Sequence, residues 1–234
     1  MERAVHEPEL LDGPLDGALL AGNLRDLARA NRLLGGGDLS WRALRAATRR
    51  GRGQPTRLSL LDVGTGAADI PRLLLRRAAA TPLRLVITAT DVRPEIVDLA
   101  HRNGSREADL GIEQADGEQL PYRDRSFDVV HCSLVLHHLE PANVGAALAD
   151  MARVARRAVI VNDLDRRRRW WLAAWLLSRL ATGNRYTRHD APLSVRRAYR
   201  PNEVSALAAQ VGLREVARLW ARPAYRYAIV FVPG

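Results

Sequence analysis

The chain has 234 residues, of which 47% are hydrophobic and 26% charged, and this balance suits one globular domain or one domain with a small cap. All 36 basic residues are arginine, so the absence of lysine excludes a P-loop nucleotide site, a pyridoxal phosphate enzyme and a protein kinase in their usual forms. The single cysteine, Cys132, excludes an intrachain disulfide and a multi-cysteine zinc site, and we predict no metal centre.

Two helices begin the chain, according to the spacing of its apolar residues. The pattern predicts a helix over 18–34, ended by three consecutive glycines, and a short helix over 40–48. Residues 49–55 read as a loop. Strand and helix patterns then alternate, which is typical of a doubly wound parallel sheet. The predicted strands are 57–63, 85–90, 112–115, 127–133 and 158–161, and the predicted helices are 70–79, 94–102 and 141–155.

The C-terminal part departs from simple alternation. A helix over 201–211 precedes strands over 213–219 and 225–232, and the gap between these strands is too short for a helical crossover, so they must pair antiparallel. We therefore predict an α/β fold: a doubly wound, Rossmann-like, seven-stranded sheet with a C-terminal antiparallel hairpin. A helical cap over 1–56 would precede the sheet domain, 57–234, and a helical insertion over 165–200 would form a lid with it.

The stretch LLDVGTGAAD leads from the first strand into a glycine turn. Gly64 and Gly66 would let a ligand approach the backbone at the N-terminus of a helix. A nicotinamide or flavin site has a third glycine where this chain has Asp69, an acid that would repel pyrophosphate. Asp91, at the end of the second strand, has the spacing of a carboxylate that accepts ribose hydroxyls, and Asp116 would accept the adenine amine. Adenosine with a cation and no diphosphate describes S-adenosylmethionine.

Three segments, LDVGTGAADI, ATDVRPEIVDLA and ADGEQLPYRDRSFDVVHCSLVLHHL, resemble the class I S-adenosylmethionine-dependent methyltransferases, in the branch similar to the ubiquinone/menaquinone-biosynthesis enzymes. The resemblance covers about residues 58–163 and implies S-adenosylmethionine as cofactor. The implied cofactor-binding residues are Asp62, Gly64, Thr65 and Gly66 on the methionine and ribose side, Asp91 at the ribose hydroxyls, Val92 against adenine, Asp116 and Gly117 at the adenine edge, and Ser133 near the sulfonium.

A narrower resemblance concerns the acceptor. NLRDLARAN and NDLDRR…RHDAPLSVRRAYRPNE are similar to bacterial methyltransferases encoded beside type III polyketide synthases, which implies a phenolic, quinol or lipid-like small molecule as partner. O-, C- and N-methylation stay open. Two other functions also stay open: an NAD-dependent oxidoreductase that uses Asp91, and a non-catalytic membrane-surface or RNA-binding module. Nucleic acid is not the expected partner, because the arginines are spread along the chain as on solvated faces.

Histidines are the candidate catalytic residues. His137 and His138 follow the fourth strand, where the ligand crevice of an α/β sheet lies, and either would serve as base or polariser. His189 in the insertion is a third candidate, but a relay with Asp190 is not expected, because neighbours on an extended segment point in opposite directions. His131, within a strand, would be buried structure.

Arginines and apolar residues outside these motifs suggest further contacts. Arg25, Arg29 or Arg32 on the first helix would pair with the cofactor's carboxylate. In the insertion, apolar residues at 171, 172, 175, 176 and 180 follow four arginines. They would form either a lipid-facing surface, and hence a peripheral membrane contact, or ordinary lid packing, and we favour packing. The acidic N-terminal segment and the lack of an apolar run of about 20 residues predict a cytoplasmic protein.

Overall fold

A seven-stranded sheet forms the centre of the molecule in the computed structural model, which describes residues 1–49, 56–104 and 107–234. The strand order is β3-β2-β1-β4-β5-β7-β6, and only β7 runs against its neighbours. The predicted fold class is therefore confirmed, whereas most of the predicted loop 49–55 lies outside the described residues. The strands are β1 Arg57–Val63, β2 Arg84–Asp91, β3 Leu110–Gln114, β4 Phe127–Ser133, β5 Ala155–Leu164, β6 Leu213–Trp220 and β7 Arg226–Pro233.

Helices cover both faces of the sheet. Because both faces are buried, the central strands carry apolar residues at consecutive positions and not only at every second one. In β1, Leu58 and Leu60 pack on one face, against α2 and α3, while Leu61 and Val63 pack on the other, where α5 and α8 lie. The helices are α1 Gly17–Leu33, α2 Gly36–Thr48, α3 Asp69–Ala79, α4 Pro94–Gly104, α5 Pro141–Val154, α6 Arg168–Ala181, α7 Arg185–Arg197 and α8 Pro201–Gln210, with short 3₁₀ turns at Leu10–Asp12 and Leu136–His138.

The antiparallel hairpin forms as predicted. β6 pairs with β7, and β7 inserts between β6 and β5. Because β7 runs in the opposite direction, its first residue, Arg226, lies at the edge where the parallel strands end, opposite Leu164 of β5. This position gives a residue from the end of the chain access to the ligand edge of the sheet.

The glycines after α1 differ from the prediction. Of the three glycines only Gly35, with φ of +79°, lies in the two-residue turn between the helices, and α2 begins at Gly36. A Cβ at Gly36 would lie 2.5 Å from a guanidinium nitrogen of Arg226, and one at Gly37 would lie 2.7 Å from Leu73. The second and third glycines therefore allow close packing inside a helix and do not end one.

The insertion forms two packed helices, α6 and α7. Ser178 is the only buried residue of α6, and its leucines face outward, with exposures of 56% at Leu172 and 75% at Leu180. The favoured interpretation, ordinary lid packing of this seam, is therefore wrong for most of α6. In the described part of the chain, none of the helices has both the length and the apolar character needed to cross a bilayer.

Candidate active site

The glycine turn joins the tips of β1 and β2. Gly64 and Gly66 have φ of +68° and +56°, a region that favours glycine. A Cβ at Gly64 would lie 2.4 Å from the side chain of Val135, whereas one at Gly66 would meet Leu24 only at 3.7 Å. Glycine is therefore needed at position 64 both for its positive φ and for close packing against Val135, whereas at position 66 it is needed only for its positive φ.

Asp91 is held at the tip of β2 by two backbone donors. Its Oδ2 accepts from the N–H of Gly66 at 3.1 Å, and its Oδ1 accepts from the N–H of Arg93 at 3.2 Å. Burial raises the pKa of the Asp91 carboxyl, and the two N–H groups oppose that shift. A carboxylate has about four lone-pair sites, so two stay free for hydroxyl donors, which suits the predicted ribose contact.

Thr65 and Val92, on either side of Asp91, also fit an adenosyl ligand. The Thr65 Oγ1 is buried and has no hydrogen-bond partner among the described residues. Val92 is 52% exposed, which is high for an aliphatic side chain between buried Asp91 and the start of α4. A ligand at the glycine turn could form a hydrogen bond with the Thr65 hydroxyl and cover Val92 with a flat heterocycle.

Asp116 and Gly117 lie in a turn at the mouth of the same edge. Asp116 is exposed, and its Oδ1 accepts from the N–H of Glu118 at 2.9 Å. Gly117 packs against β1, because a Cβ there would lie 2.8 Å from Val63. The Glu118 N–H bonds only Oδ1 of Asp116, so Oδ2 could still accept the adenine amine, as predicted.

Asp62 does not point into open space but into a buried polar network. It is 2% exposed, and its Oδ1 lies 2.6 Å from Nδ1 of His131, whose Nε2 lies 2.9 Å from Oγ of Ser40. Because Asn162 donates to that hydroxyl at 2.7 Å, Ser40 donates to His131, and the Nδ1–H of His131 donates to Asp62. His131 is fully buried, as predicted.

The network continues through Arg226, which the sequence analysis missed. Arg226 is 2% exposed and donates to Asn162 at 2.6 Å, to Asn31 at 2.7 Å and to the hydroxyl of Ser133. Asn31 in turn donates to Asp69, the acid in the third-glycine position, at 2.9 Å. The sequence did contain one indication of this role: Arg226 begins a strand whose other residues are apolar or aromatic, which is typical of a buried strand.

This placement changes the expected roles of Ser133 and the α1 arginines. A guanidinium on the Ser133 hydroxyl would repel a sulfonium and attract a carboxylate. Arg25, Arg29 and Arg32 are all exposed on α1, and Arg29 pairs with Asp26. The geometry therefore favours Arg226 over the three predicted arginines as the partner of a ligand carboxylate.

His137 and His138 lie side by side, with ring centroids 4.4 Å apart, in the 3₁₀ turn after β4. The Nδ1 of His137 is 2.7 Å from Oδ1 of Asp163, and that of His138 is 2.8 Å from Oδ1 of Asp12. Burial lowers the pKa of His138, but Glu9 and Asp12 outweigh this effect and raise it to about 9. The structure thus brings two predicted catalytic residues together with acids from the N-terminal segment.

His189 belongs to a different environment. It lies on α7, is half exposed, and lines a depression with Trp171, Trp175 and Arg196. Its Nδ1 is 2.7 Å from Oδ1 of Asp190, so the expectation that these two diverge is wrong, because the segment is helical and not extended. Asp190 also accepts from two backbone N–H groups, of Leu10 and Leu11, and so anchors the N-terminal turn.

Comparison with known proteins agrees with this geometry. Residues 61–161 match the family described as methyltransferase domain. Demethylmenaquinone methyltransferase of Deinococcus radiodurans is 35% identical over 126 residues, which are 53% of this chain and 48% of that protein. The match thus spans about half the length of that relative.

Solved structures share the fold at low identity. A methyltransferase from Aquifex aeolicus described as SAM-dependent has a TM-score of 0.65 and 18% identity, over 94% of this chain and 100% of that one. Human N-acetylserotonin methyltransferase in complex with SAM has a TM-score of 0.68 and 19% identity, over 93% of this chain and 56% of that one. Residues 61–161 therefore match a methyltransferase domain, and the chain shares the fold of solved structures described as SAM-dependent methyltransferases.

Proposed function

We propose that this chain transfers the methyl group of S-adenosylmethionine to a small phenolic or quinol acceptor. The observation that carries the proposal is the Asp91 carboxylate, fixed at the tip of β2 by the N–H groups of Gly66 and Arg93, beside the unpartnered hydroxyl of Thr65. When bound, the cofactor supplies an activated methyl group on a sulfonium. Every other requirement falls on the chain itself: orientation, exclusion of water and control of the acceptor's proton.

The residues around the crevice divide the work of holding the cofactor. Asp91 would accept the ribose hydroxyls, Val92 would cover one face of adenine, and Asp116 would accept the adenine amine. Asp62, Gly64 and Gly117 would act indirectly, because their contacts are with His131, Val135 and Val63. Arg226 has five N–H donors, of which three bind Asn162, Asn31 and Ser133 and a further one bonds Tyr225, so one would be left for a carboxylate.

The acceptor would enter on the side of His137 and His138. A phenol with a pKa of about 10 costs about 4 kcal/mol to deprotonate at pH 7, so the site must stabilise a developing phenolate. We place the acceptor's hydroxyl beside the exposed part of the His138 ring, since 25% of that side chain is accessible and His137 is buried. His189, among Trp171 and Trp175, stays a candidate contact for the distal part of the acceptor.

The lipid-like character of the acceptor is supported by two observations. The relative from Deinococcus radiodurans is named for methyl transfer to demethylmenaquinone, a quinone. The outer face of α6 exposes Leu172, Trp175, Leu176, Leu177 and Leu180, and three exposed arginines, at 167–169, lie at its start, whereas Arg166 is buried and pairs with Glu203. An exposed apolar helix face beside cationic side chains is typical of proteins that bind the surface of anionic membranes. We infer that α6 contacts such a surface while the acceptor is taken up.

Calorimetry with purified protein tests the cofactor, and labelled methyl transfer tests the acceptor. We expect heat of binding with S-adenosylhomocysteine and none with NADH, and transfer of label from S-adenosylmethionine into the phenolic fraction of a total lipid extract. Binding of NADH alone would favour an oxidoreductase. Binding of S-adenosylhomocysteine without transfer to any extract fraction would refute the proposed acceptor class but not the cofactor.

A further inference from the structure

Two histidines and three acids meet between the end of β4 and the N-terminal segment. This group, which we name the Glu9 cluster, consists of Glu9, Asp12, His137, His138 and Asp163. Glu9 is 4% exposed, His137 2% and Asp163 1%. Three parts of the chain supply these residues, and a fourth, α7, holds Glu9 through the hydroxyl of Ser194, which donates to it at 2.9 Å.

Both imidazoles have the same arrangement. Each Nδ1 lies against a carboxylate, Asp163 at 2.7 Å for His137 and Asp12 at 2.8 Å for His138. Each Nε2 faces the Glu9 carboxylate, at 3.8 Å from Oε1 and 3.9 Å from Oε2, which is beyond hydrogen-bond distance. Histidines that bind metals typically donate from one ring nitrogen to a carboxylate and present the other to the ion.

The carboxylates of the cluster outnumber the cationic side chains in contact with them. With neutral imidazoles, the three carboxylates meet one guanidinium in direct contact, that of Arg197, which donates to Asp12 at 3.2 Å. Arg197 also holds the His137 and His138 carbonyl oxygens, at 2.9 and 2.7 Å, and so fixes the backbone of the turn. Two further negative charges in a largely buried site are costly; a proton on His138 compensates one of them, and a divalent cation in place of that proton would neutralise both.

We propose that Glu9, His137 and His138 bind a divalent first-row transition metal ion. One ligand atom from each residue lies within 4.8 Å of the others. An ion about 2.1 Å from each would bring these atoms to roughly 3.4 Å in a tetrahedral site, so separations that now reach up to 4.8 Å need to close by at most about 1.4 Å. Two imidazoles and one carboxylate leave a coordination position open, as in metal sites that act on a bound oxygen.

The ligand chemistry selects the class of ion. Two imidazole nitrogens suit Zn²⁺, Fe²⁺, Mn²⁺ or Co²⁺, whereas Mg²⁺ and Ca²⁺ prefer sites made of oxygen atoms. The binding site stands independently of the proposed methyl transfer, since it rests on the geometry of the cluster alone. The prediction of no metal centre was made from the cysteine content, which does not reveal that Glu9 meets the His137–His138 pair.

Cobalt absorption tests the site without any measurement of activity. Purified protein, stripped with a chelator, is titrated with Co²⁺ and then with Zn²⁺ or Mg²⁺. We expect visible d–d bands that saturate near one equivalent, are displaced by Zn²⁺ and persist with Mg²⁺. Glu9→Gln and His138→Gln should weaken Co²⁺ binding at least tenfold, whereas His101→Gln, which removes an exposed histidine on α4, should not.

Two outcomes would overturn the site. Wild-type protein that stays colourless at micromolar Co²⁺, while its circular dichroism is that of a folded protein, would show that the cluster is a set of imidazolium–carboxylate pairs. Equal Co²⁺ affinity in wild type and Glu9→Gln would assign the binding to surface histidines. The first result depends on wild type alone, so poor folding of a variant does not obscure it. Zn²⁺ should also raise the thermal unfolding midpoint of wild type and of His101→Gln.

Discussion

Replacement of Asp91 by Ala tests the cofactor site most directly. Two of the four lone-pair sites of its carboxylate are occupied by the N–H groups of Gly66 and Arg93, which leaves two for ribose hydroxyls. Loss of these charge-assisted hydrogen bonds should weaken binding of S-adenosylhomocysteine by about 1–3 kcal/mol, or roughly 5- to 150-fold in Kd. Isothermal titration calorimetry at neutral pH measures this change. Asp109→Ala, which removes an acid paired with Arg84 before β3, is the matched control.

The pH dependence of binding gives the same substitution a second readout. Burial raises the pKa of Asp91, so its protonation, and with it the loss of affinity, should begin at a higher pH than for an exposed aspartate. The raised pKa also affects stability. As the pH falls through that range, the folded chain binds more protons than the unfolded chain, so protonation of Asp91 increases the free energy of unfolding. Wild-type affinity in Asp91→Ala, or an unchanged acid limb in its pH profile, would refute the ribose contact.

Three further variants test the turn and the membrane surface. Gly64→Ala should lower the free energy of unfolding by about 2–4 kcal/mol, because it adds overpacking against Val135 to the strain of a positive φ. Gly66→Ala, with strain alone, should lose about 1–2 kcal/mol in the same thermal or urea unfolding measurement, and equal losses would contradict the packing role of Gly64. A Leu176→Ser, Leu180→Ser double variant should sediment less with anionic vesicles, whereas Leu33→Ser, which removes an equally exposed leucine on α1, should sediment as wild type does.

Local patterns predicted the sheet well because its strands carry their own signal. β1 and β4 have the predicted limits, 57–63 and 127–133, and the short gap before β7 fixed the antiparallel hairpin. The order of the motifs also indicated the crevice, since the carboxyl ends of parallel strands meet at one edge. Apolar alternation and turn residues are properties of a few neighbouring residues, so they can be read from the sequence without knowledge of the packing.

Contacts between distant segments were not predictable in the same way. The helical spacing of α6 correctly indicated a helix, but it does not reveal which side of the helix the rest of the chain covers. Asp190 seemed to diverge from His189 only because that segment was taken as extended. Glu9 gave no signal at all, since its role depends on an N-terminal turn that α7 anchors through Asp190.

Arg226 illustrates how the direction of one strand determines the electrostatics of the crevice. Were β7 parallel to β5, its first residue would lie at the opposite edge, far from Ser133. In the antiparallel sheet its guanidinium is buried and held by Asn31, Asn162 and Ser133, so the cost of its desolvation and of its lost rotamers is met in folding. A ligand carboxylate would then meet a preorganised cation, which an exposed arginine on α1 does not provide. Asp91 at one end and Arg226 at the other give the crevice a polarity that matches ribose hydroxyls and a carboxylate in one molecule.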